Sequence, residues 1–203
     1  MNDMRALDAI ATRRSVRRFA RREVPRDLVP KLIAAACAAP APHHDRPWRF
    51  AEVRPETRPR LIEAMAAAWR ADLESDRRPR EPLDKLLARS RRQLTEVPLL
   101  LLACLELGSA RDWPDERRRA AERDMHVQSL GAALQNLLLA AHAYGLGGYL
   151  KGAPLFCRSA VAEALDLPPG WQPAFLALLG YPAEKSEPAP RPAVRADDFL
   201  IER

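Results

Sequence analysis

The chain has 203 residues, 47% of them apolar, enough for one full-sized domain with its own core and no need of disulfide or metal staples. Aromatic residues make up only 6%, and Ala and Leu dominate the apolar set, which favours helix. The net charge of +6 comes from 33 basic and 27 acidic residues, a balance that suits an anionic partner such as a phosphate-bearing cofactor, an acidic substrate or nucleic acid.

In chain order, residues 3–13 read as a helix that Asp3 caps and that Leu7 and Ile10 mark with one apolar face. A second helix is predicted over 27–38, with Asp27 at its N-cap and Leu28, Leu32, Ile33, Ala36 and Cys37 on the buried stripe. Pro40 and Pro42 end it. Residues 48–53 alternate as a strand, with Trp48, Phe50 and Glu52 on one side and Arg49, Ala51 and Val53 on the other. Two charged amphipathic helices follow over 56–74 and 82–95, then a buried strand in the apolar run 98–105. Ten of the fourteen residues 111–124 are charged, which fits a solvated loop and helix start. The longest helix is predicted over 115–144. Val127, Leu130, Leu134, Leu137, Leu138 and Ala141 form its stripe, and Ala132, Ala133, Leu139 and Ala140 spread apolar surface to other faces. Such a helix belongs at the centre of a fold or in a subunit interface. Gly145, Gly147 and Gly148 end it, and YLKGAP reads as a short connecting segment. A helix over 154–165, a strand over 174–179 and a Pro-rich extended tail complete the chain, and the final ADDFLIER is placed as a strand or a wrap around a partner. The apolar run at 97–105 is too short for a bilayer and the start has no signal-peptide layout, so a soluble cytoplasmic protein is expected. Cys37, Cys104 and Cys157 have no metal-ligand spacing and read as buried thiols.

Four sets of residues carry candidate chemistry. Arg13, Arg14, Ser15, Arg17 and Arg18 form a basic cluster after the first helix; guanidinium forks and a hydroxyl can clamp a phosphate, and a solvated turn or a nucleic-acid patch has the same composition. His43 and His44 stand on a Pro-bounded loop where imidazoles can donate hydrogen bonds to a heterocycle. A metal there needs a third ligand, and the other histidines, His126 and His142, fall within the long helix, so no metal site is predicted. Gly147, Gly148 and Gly152 in GLGGYLKGAP permit close approach of backbone to a flat ligand, or simply end a helix. Arg191 lies in the extended tail. GxSxG, P-loop and strand-borne GxGxxG motifs are absent.

The order of these motifs resembles the nitroreductase-like flavoenzymes. The matching pieces are Arg13-Arg14-Ser15-Val16-Arg17-Arg18-Phe19, Ala39-Pro40 through Pro47-Trp48, the long central helix, Gly145-Leu146-Gly147, Gly180-Tyr181-Pro182 and Arg191. Within that family, APAPHH at 39–44 is similar to the C-terminal flavin domain of the bifunctional coenzyme F-420 glutamate ligase, whose ligase domain has no counterpart in this sequence. The resemblance implies one α+β domain over 1–203, with a small, mostly antiparallel sheet flanked by helices. It implies an intertwined homodimer with flavin mononucleotide (FMN) at the interface and the tail 183–203 wrapping the partner. It places Arg13, Ser15 and Arg191, assisted by Arg14, on the FMN phosphate, and Arg17 at the ribityl or pyrimidine edge. His43 and His44 would reach the flavin from the other subunit, and Leu150 and Gly152 would pack near the ring. Arg46 and Lys151 would steer an acidic substrate. The implied activity is FMN-dependent reduction, of a dehydro precursor of coenzyme F-420 or, alternatively, of nitroaromatics and quinones with NAD(P)H. A nucleic-acid-binding module is the non-enzymatic alternative, and no nucleic-acid motif supports it.

Overall fold

The computed structural model describes residues 4–76, 80–183 and 193–203, with the side chains of 80–83 set aside. Ten regular elements follow in order: α1 (Ala6–Thr12), α2 (Leu28–Cys37), β1 (Trp48–Glu52), α3 (Arg58–Ser75), α4 (Arg80–Glu96), β2 (Leu99–Leu105), α5 (Glu116–Ala143), β3 (Gly147–Lys151), α6 (Arg158–Ala164) and β4 (Gln172–Gly180). Short 3-10 turns cover Pro42–His44, Ala153–Phe156 and Ala196–Asp198.

The four strands form one antiparallel sheet in the order β1-β2-β4-β3. β2 lies inside it with every residue buried. Leucine is a modest strand former, but a strand covered on both faces needs apolar side chains above all. Leu99, Leu101, Ala103 and Leu105 face the cluster built with α2 and α5, and Leu100, Leu102 and Cys104 face the cluster built with α3 and α4. The alternation expected for β1 also holds: Trp48 and Phe50 pack on the α5 side, Ala51 and Val53 on the other. The β2–β4 register shifts between Ala103 and Cys104, opposite Pro173, which has no N–H for the ladder.

α5 is the backbone of one layer. Its N-cap, Asp115, accepts from the Arg118 backbone N–H at 2.9 Å. Leu130, Ala133, Leu134, Leu137, Leu138 and Ala141 are buried along it. Val127, expected on that stripe, is 44% exposed; in the N-terminal half of the helix the buried face runs instead through Glu122, His126 and Ser129.

Several local expectations need correction. Asp27 makes no capping bond; its carboxylate instead accepts from the Lys31 ammonium at 2.8 Å, one turn along. Leu7 and Ile10 are exposed, so α1 is held by other contacts, and Asp3 lies outside the described residues. The segment read as a connector after Gly145 is strand β3. The helix expected from 154 begins as a 3-10 turn and becomes α-helical only at Arg158. Cys104 is buried, but Cys37 and Cys157 are half-buried. ADDFLIER forms a 3-10 turn with exposed Phe199, Leu200 and Ile201 and no strand pairing.

One buried charge organises the α3–β2 side. Arg58 is 6% exposed. Its guanidinium donates to the carbonyls of Val97 (2.7 Å), Thr95 (3.1 Å) and Val53 (3.2 Å). These carbonyls end β1 and α4, so the side chain supplies donors where the regular ladders stop. Burial lowers its pKa from the usual guanidinium value.

Candidate functional site

The basic segment after α1 is fixed to the β3 edge of the sheet. Ser15 forms a parallel bridge with Gly148, and the Val16 N–H donates to the Gly148 carbonyl at 3.2 Å. Farther on, Phe19 pairs with Pro182. The approach is close enough to demand glycine: a Cβ on Gly147 would stand 2.6 Å from Val16 Cβ. Arg13, Ser15 and Arg17 are thereby set along β3. Arg14 turns back, and its Nη1 donates to the Ala11 carbonyl at 2.8 Å, at the C-terminal end of α1. Thr12 Oγ1 stands 2.7 Å from His142 Nε2 at the end of α5. Burial, followed by the charges of Arg13 and Arg14, lowers the His142 pKa.

A second set of donors lies on the opposite face of β3. The Lys151 ammonium donates to Ser90 Oγ at 2.6 Å and to Gln93 Oε1 at 3.4 Å, both on α4. Burial, helped by the nearby Arg89 charge, pulls the Lys151 pKa down to about 8. Two residues back on the same face, Tyr149 is 7% exposed and its hydroxyl has no hydrogen-bond partner. The Arg17 guanidinium lies 5.4 Å from the centre of the Tyr149 ring. Burial raises the Tyr149 pKa, against the lowering fields of Arg17 and Arg89. Arg17 and Arg89 therefore bring positive charge to the buried Tyr149 ring, and Lys151 extends from the same face of β3 toward α4.

Sequence reasoning passed over Tyr149, Arg89, Ser90 and Gln93. The first was hidden because β3 was not recognised as a strand; the others lie on the charged side of a helix, where nothing in the pattern separates a ligand contact from solvated surface. Leu150, on the other face of β3, packs toward the α5 cluster. Gly152 follows the strand beside Phe175. Between α3, α4 and the Ala153–Phe156 turn is a cavity of about 810 Å³, with Met65, Trp69, Leu87, Leu94 and Phe156 on its walls and Lys151 at its border.

The histidine loop stands elsewhere in the same chain. His43 Nε2 is 3.7 Å from Glu122 Oε1, in the first turns of α5, whereas Arg13 and Arg14 act on His142 at its end. Residues 122 and 142 are 20 positions apart on one helix, about 30 Å along its axis. The loop also leads into β1, at the sheet edge opposite β3. Arg46 shares a cavity of about 410 Å³ with Cys37, Trp48 and Arg49 on that side. Ser15 and Arg17 thus lie along β3, with Leu150 and Lys151 on its two faces and Gly152 at its end; Arg13 and Arg14 stand near His142, and the loop of His43, His44 and Arg46 is placed elsewhere. Arg191 lies outside the described residues. Among the described residues no three His, Cys, Asp or Glu side chains are placed to hold a metal ion, and no helix is long and apolar enough to cross a membrane.

A sequence model of the nitroreductase family matches residues 10–181. The chain belongs to the nitroreductase family. A protein of Methanothermobacter thermautotrophicus, provisionally named NADH dehydrogenase/NAD(P)H nitroreductase, is 30% identical over 207 aligned residues, covering 100% of this chain and 90% of the relative. The 5,6-dimethylbenzimidazole synthase of Rhodospirillum rubrum is 32% identical, over 88% of this chain and 83% of its own. The crystal structure of NfnB, an FMN and NADPH-dependent nitroreductase from a Sphingopyxis strain, superposes with a TM-score of 0.73 at 20% identity and covers 98% of this chain and 99% of its own. The fold of this nitroreductase-family chain is the expected one: helices about a small antiparallel sheet.

Proposed function

We propose that this nitroreductase-family protein is an FMN-dependent oxidoreductase whose flavin sites are completed across a homodimer interface. The observation that carries the reading is the Arg17 guanidinium lying over the buried Tyr149 ring, whose hydroxyl has no hydrogen-bond partner, with the Arg89 charge also acting on it, on the strand to which Ser15 is bridged. Two anionic regions of one cofactor, a phosphate and an electron-rich heterocycle edge, would be met by two neighbouring donor sets. The names of the relatives, NAD(P)H nitroreductase and FMN-dependent nitroreductase, support the same cofactor and electron donor.

FMN supplies the hydride chemistry when bound; the protein binds, orients and tunes. Arg13 and Ser15 would hold the phosphate, with Arg191 from the tail. Arg14 contributes by fixing the end of α1, where its guanidinium already donates. Arg17 and Arg89 would place positive charge against the heterocycle edge, which favours the anionic reduced form. Leu150 and Gly152 would back the ring. His43 and His44 would come from the partner subunit, since about 30 Å of α5 separates them from the arginines of their own chain. The tail 183–203 would wrap that partner, and its exposed Phe199, Leu200 and Ile201 would be buried there.

For the substrate, the APAPHH loop and the basic residues Arg46 and Lys151 favour an anionic heterocycle such as a dehydro precursor of coenzyme F-420. The names of the relatives, NAD(P)H nitroreductase and NADPH-dependent nitroreductase, favour the broader reading of a general NAD(P)H-dependent nitro- or quinone-reductase on its nitro-reducing side. Steady-state rates separate the two. The specialised reductase turns over the deazaflavin precursor far faster than nitrofurazone or menadione; the general one shows the reverse order and rapid NAD(P)H oxidation.

A further inference from the structure

We propose that the cavity between α3, α4 and the Ala153–Phe156 turn is a binding site for an apolar monocarboxylate, with the Lys151 ammonium as the counter-charge of its carboxylate and the helix side chains around its hydrocarbon body. The site needs no flavin, so it stands apart from the function proposed above.

The cavity has the size and the lining of a small-molecule site. Its volume of about 810 Å³ falls within the range of about 300–1,000 Å³ usual for such pockets. Ile62, Met65 and Trp69 border it from α3, and Leu87 and Leu94 from α4. Ile62, Met65, Leu87 and Leu94 are buried, and Trp69 is half-buried. The positions recur at helical spacing, so each helix turns one apolar stripe toward the space. The two stripes do not close on each other, and the room left between them suits apolar ligand atoms. Phe156, on the turn at the border, is exposed.

Lys151 sets the charge of the ligand. Three arginines and four acidic residues also border the cavity, and all seven are exposed. That rim carries both signs, with Arg70 3.9 Å from Asp84 and Arg91 paired with Glu63. Lys151 is half-buried. Its ammonium has three N–H donors. The acceptors it meets, Ser90 Oγ at 2.6 Å and Gln93 Oε1 at 3.4 Å, are both neutral. Among the described residues no carboxylate pairs with it, and the charge that acts on it, Arg89, is another cation. Burial and that charge pull its pKa down to about 8, which still leaves it protonated at neutral pH. A cation withdrawn from water is seldom left without a counter-charge. A carboxylate in the cavity supplies one and accepts the remaining N–H. One ammonium matches one negative charge, and the acidic groups of the rim disfavour a polyanion such as a nucleotide.

Isothermal titration of the purified full-length protein at neutral pH, with octanoate and with octan-1-ol, tests the site. Octanoate should bind once per chain and at least tenfold tighter than the alcohol, the margin that a charge-assisted hydrogen bond provides. Lys151→Met should abolish the preference and leave octan-1-ol binding unchanged, whereas Lys151→Arg, which keeps the charge, should retain it. Ala66→Phe, which fills the cavity from α3, should weaken both ligands. A wild-type chain that binds neither ligand, or binds the two alike, overturns the proposal. So does a Lys151→Met chain that still prefers the acid, or an Ala66→Phe chain with undiminished affinity. Octanoate binding of the expected kind in a chain that takes up no FMN keeps this site and defeats the proposed function instead.

Discussion

Lys151 donates to the Ser90 hydroxyl at 2.6 Å and so ties the last residue of β3 to the middle of α4. The bond holds a cation in a place where burial and Arg89 both disfavour it. The unfolded lysine keeps its proton up to about pH 10.5, the folded one only to about pH 8. Between those values the unfolded state binds more protons, so stability rises with pH there; below pH 8 the buried charge is a constant penalty. The urea midpoint of the cofactor-free wild type should therefore climb from about pH 8 towards pH 10 relative to Lys151→Met. Parallel profiles for the two proteins would show that Lys151 is not desolvated.

Arg58 provides a second test, this time of the fold alone. Its guanidinium satisfies carbonyls at the ends of β1 and α4. Arg58→Ala leaves them buried and unpaired, and should cost about 3 kcal/mol in chemical denaturation. Arg58→Lys keeps the charge but loses the fork, and should fall between. A change below about 0.5 kcal/mol for the alanine variant would remove Arg58 from the account.

Gly147 tests the docking of the basic segment. A Cβ there meets Val16 at 2.6 Å, so Gly147→Ala should push residues 15–16 off β3 and weaken FMN binding at least tenfold. Pairing it with Val16→Gly should restore much of that loss. Equal FMN affinity in wild type and Gly147→Ala would mean that the Ser15–Gly148 bridge does not position the cofactor.

The division of the site between subunits has its own assay. An Arg13→Ala/Arg17→Ala chain and a His43→Ala/His44→Ala chain, co-refolded, give heterodimers with one intact site if the two sets meet across the interface. Statistical mixing then restores about a quarter of wild-type activity. If each chain builds its own site, the mixture stays as inactive as its components.

How much of this was legible in the sequence depends on where each signal resides. β2 and α5 were readable because burial on several sides leaves long apolar runs, PLLLLACL and LGAALQNLLLAA. The basic segment gave a phosphate-binding expectation only through the order of motifs around it, because a solvated turn or a nucleic-acid patch has the same composition. β3 was not, since GLGG reads as the end of a helix, and its strand character comes from partners far away in the chain: β4 on one side and residues 15–16 on the other. The same distance hid Arg89, Ser90 and Gln93, whose role exists only because Lys151 and Tyr149 face them. Asp27 had the residue type of a cap, but Lys31 one turn later competes for its carboxylate. The separation of the histidine loop from the arginines was invisible for a related reason: it follows from the length of α5 in three dimensions, not from any local pattern.

The most direct measurement is the flavin itself. Purified protein, titrated with FMN and followed by its visible absorbance and fluorescence quenching, should bind one FMN per chain, and Arg13→Ala/Arg17→Ala should weaken that binding about 100-fold with the fold intact by circular dichroism. A wild-type chain that takes up no FMN, or a double variant that binds it as tightly as wild type, would contradict the assignment of these arginines to a flavin site.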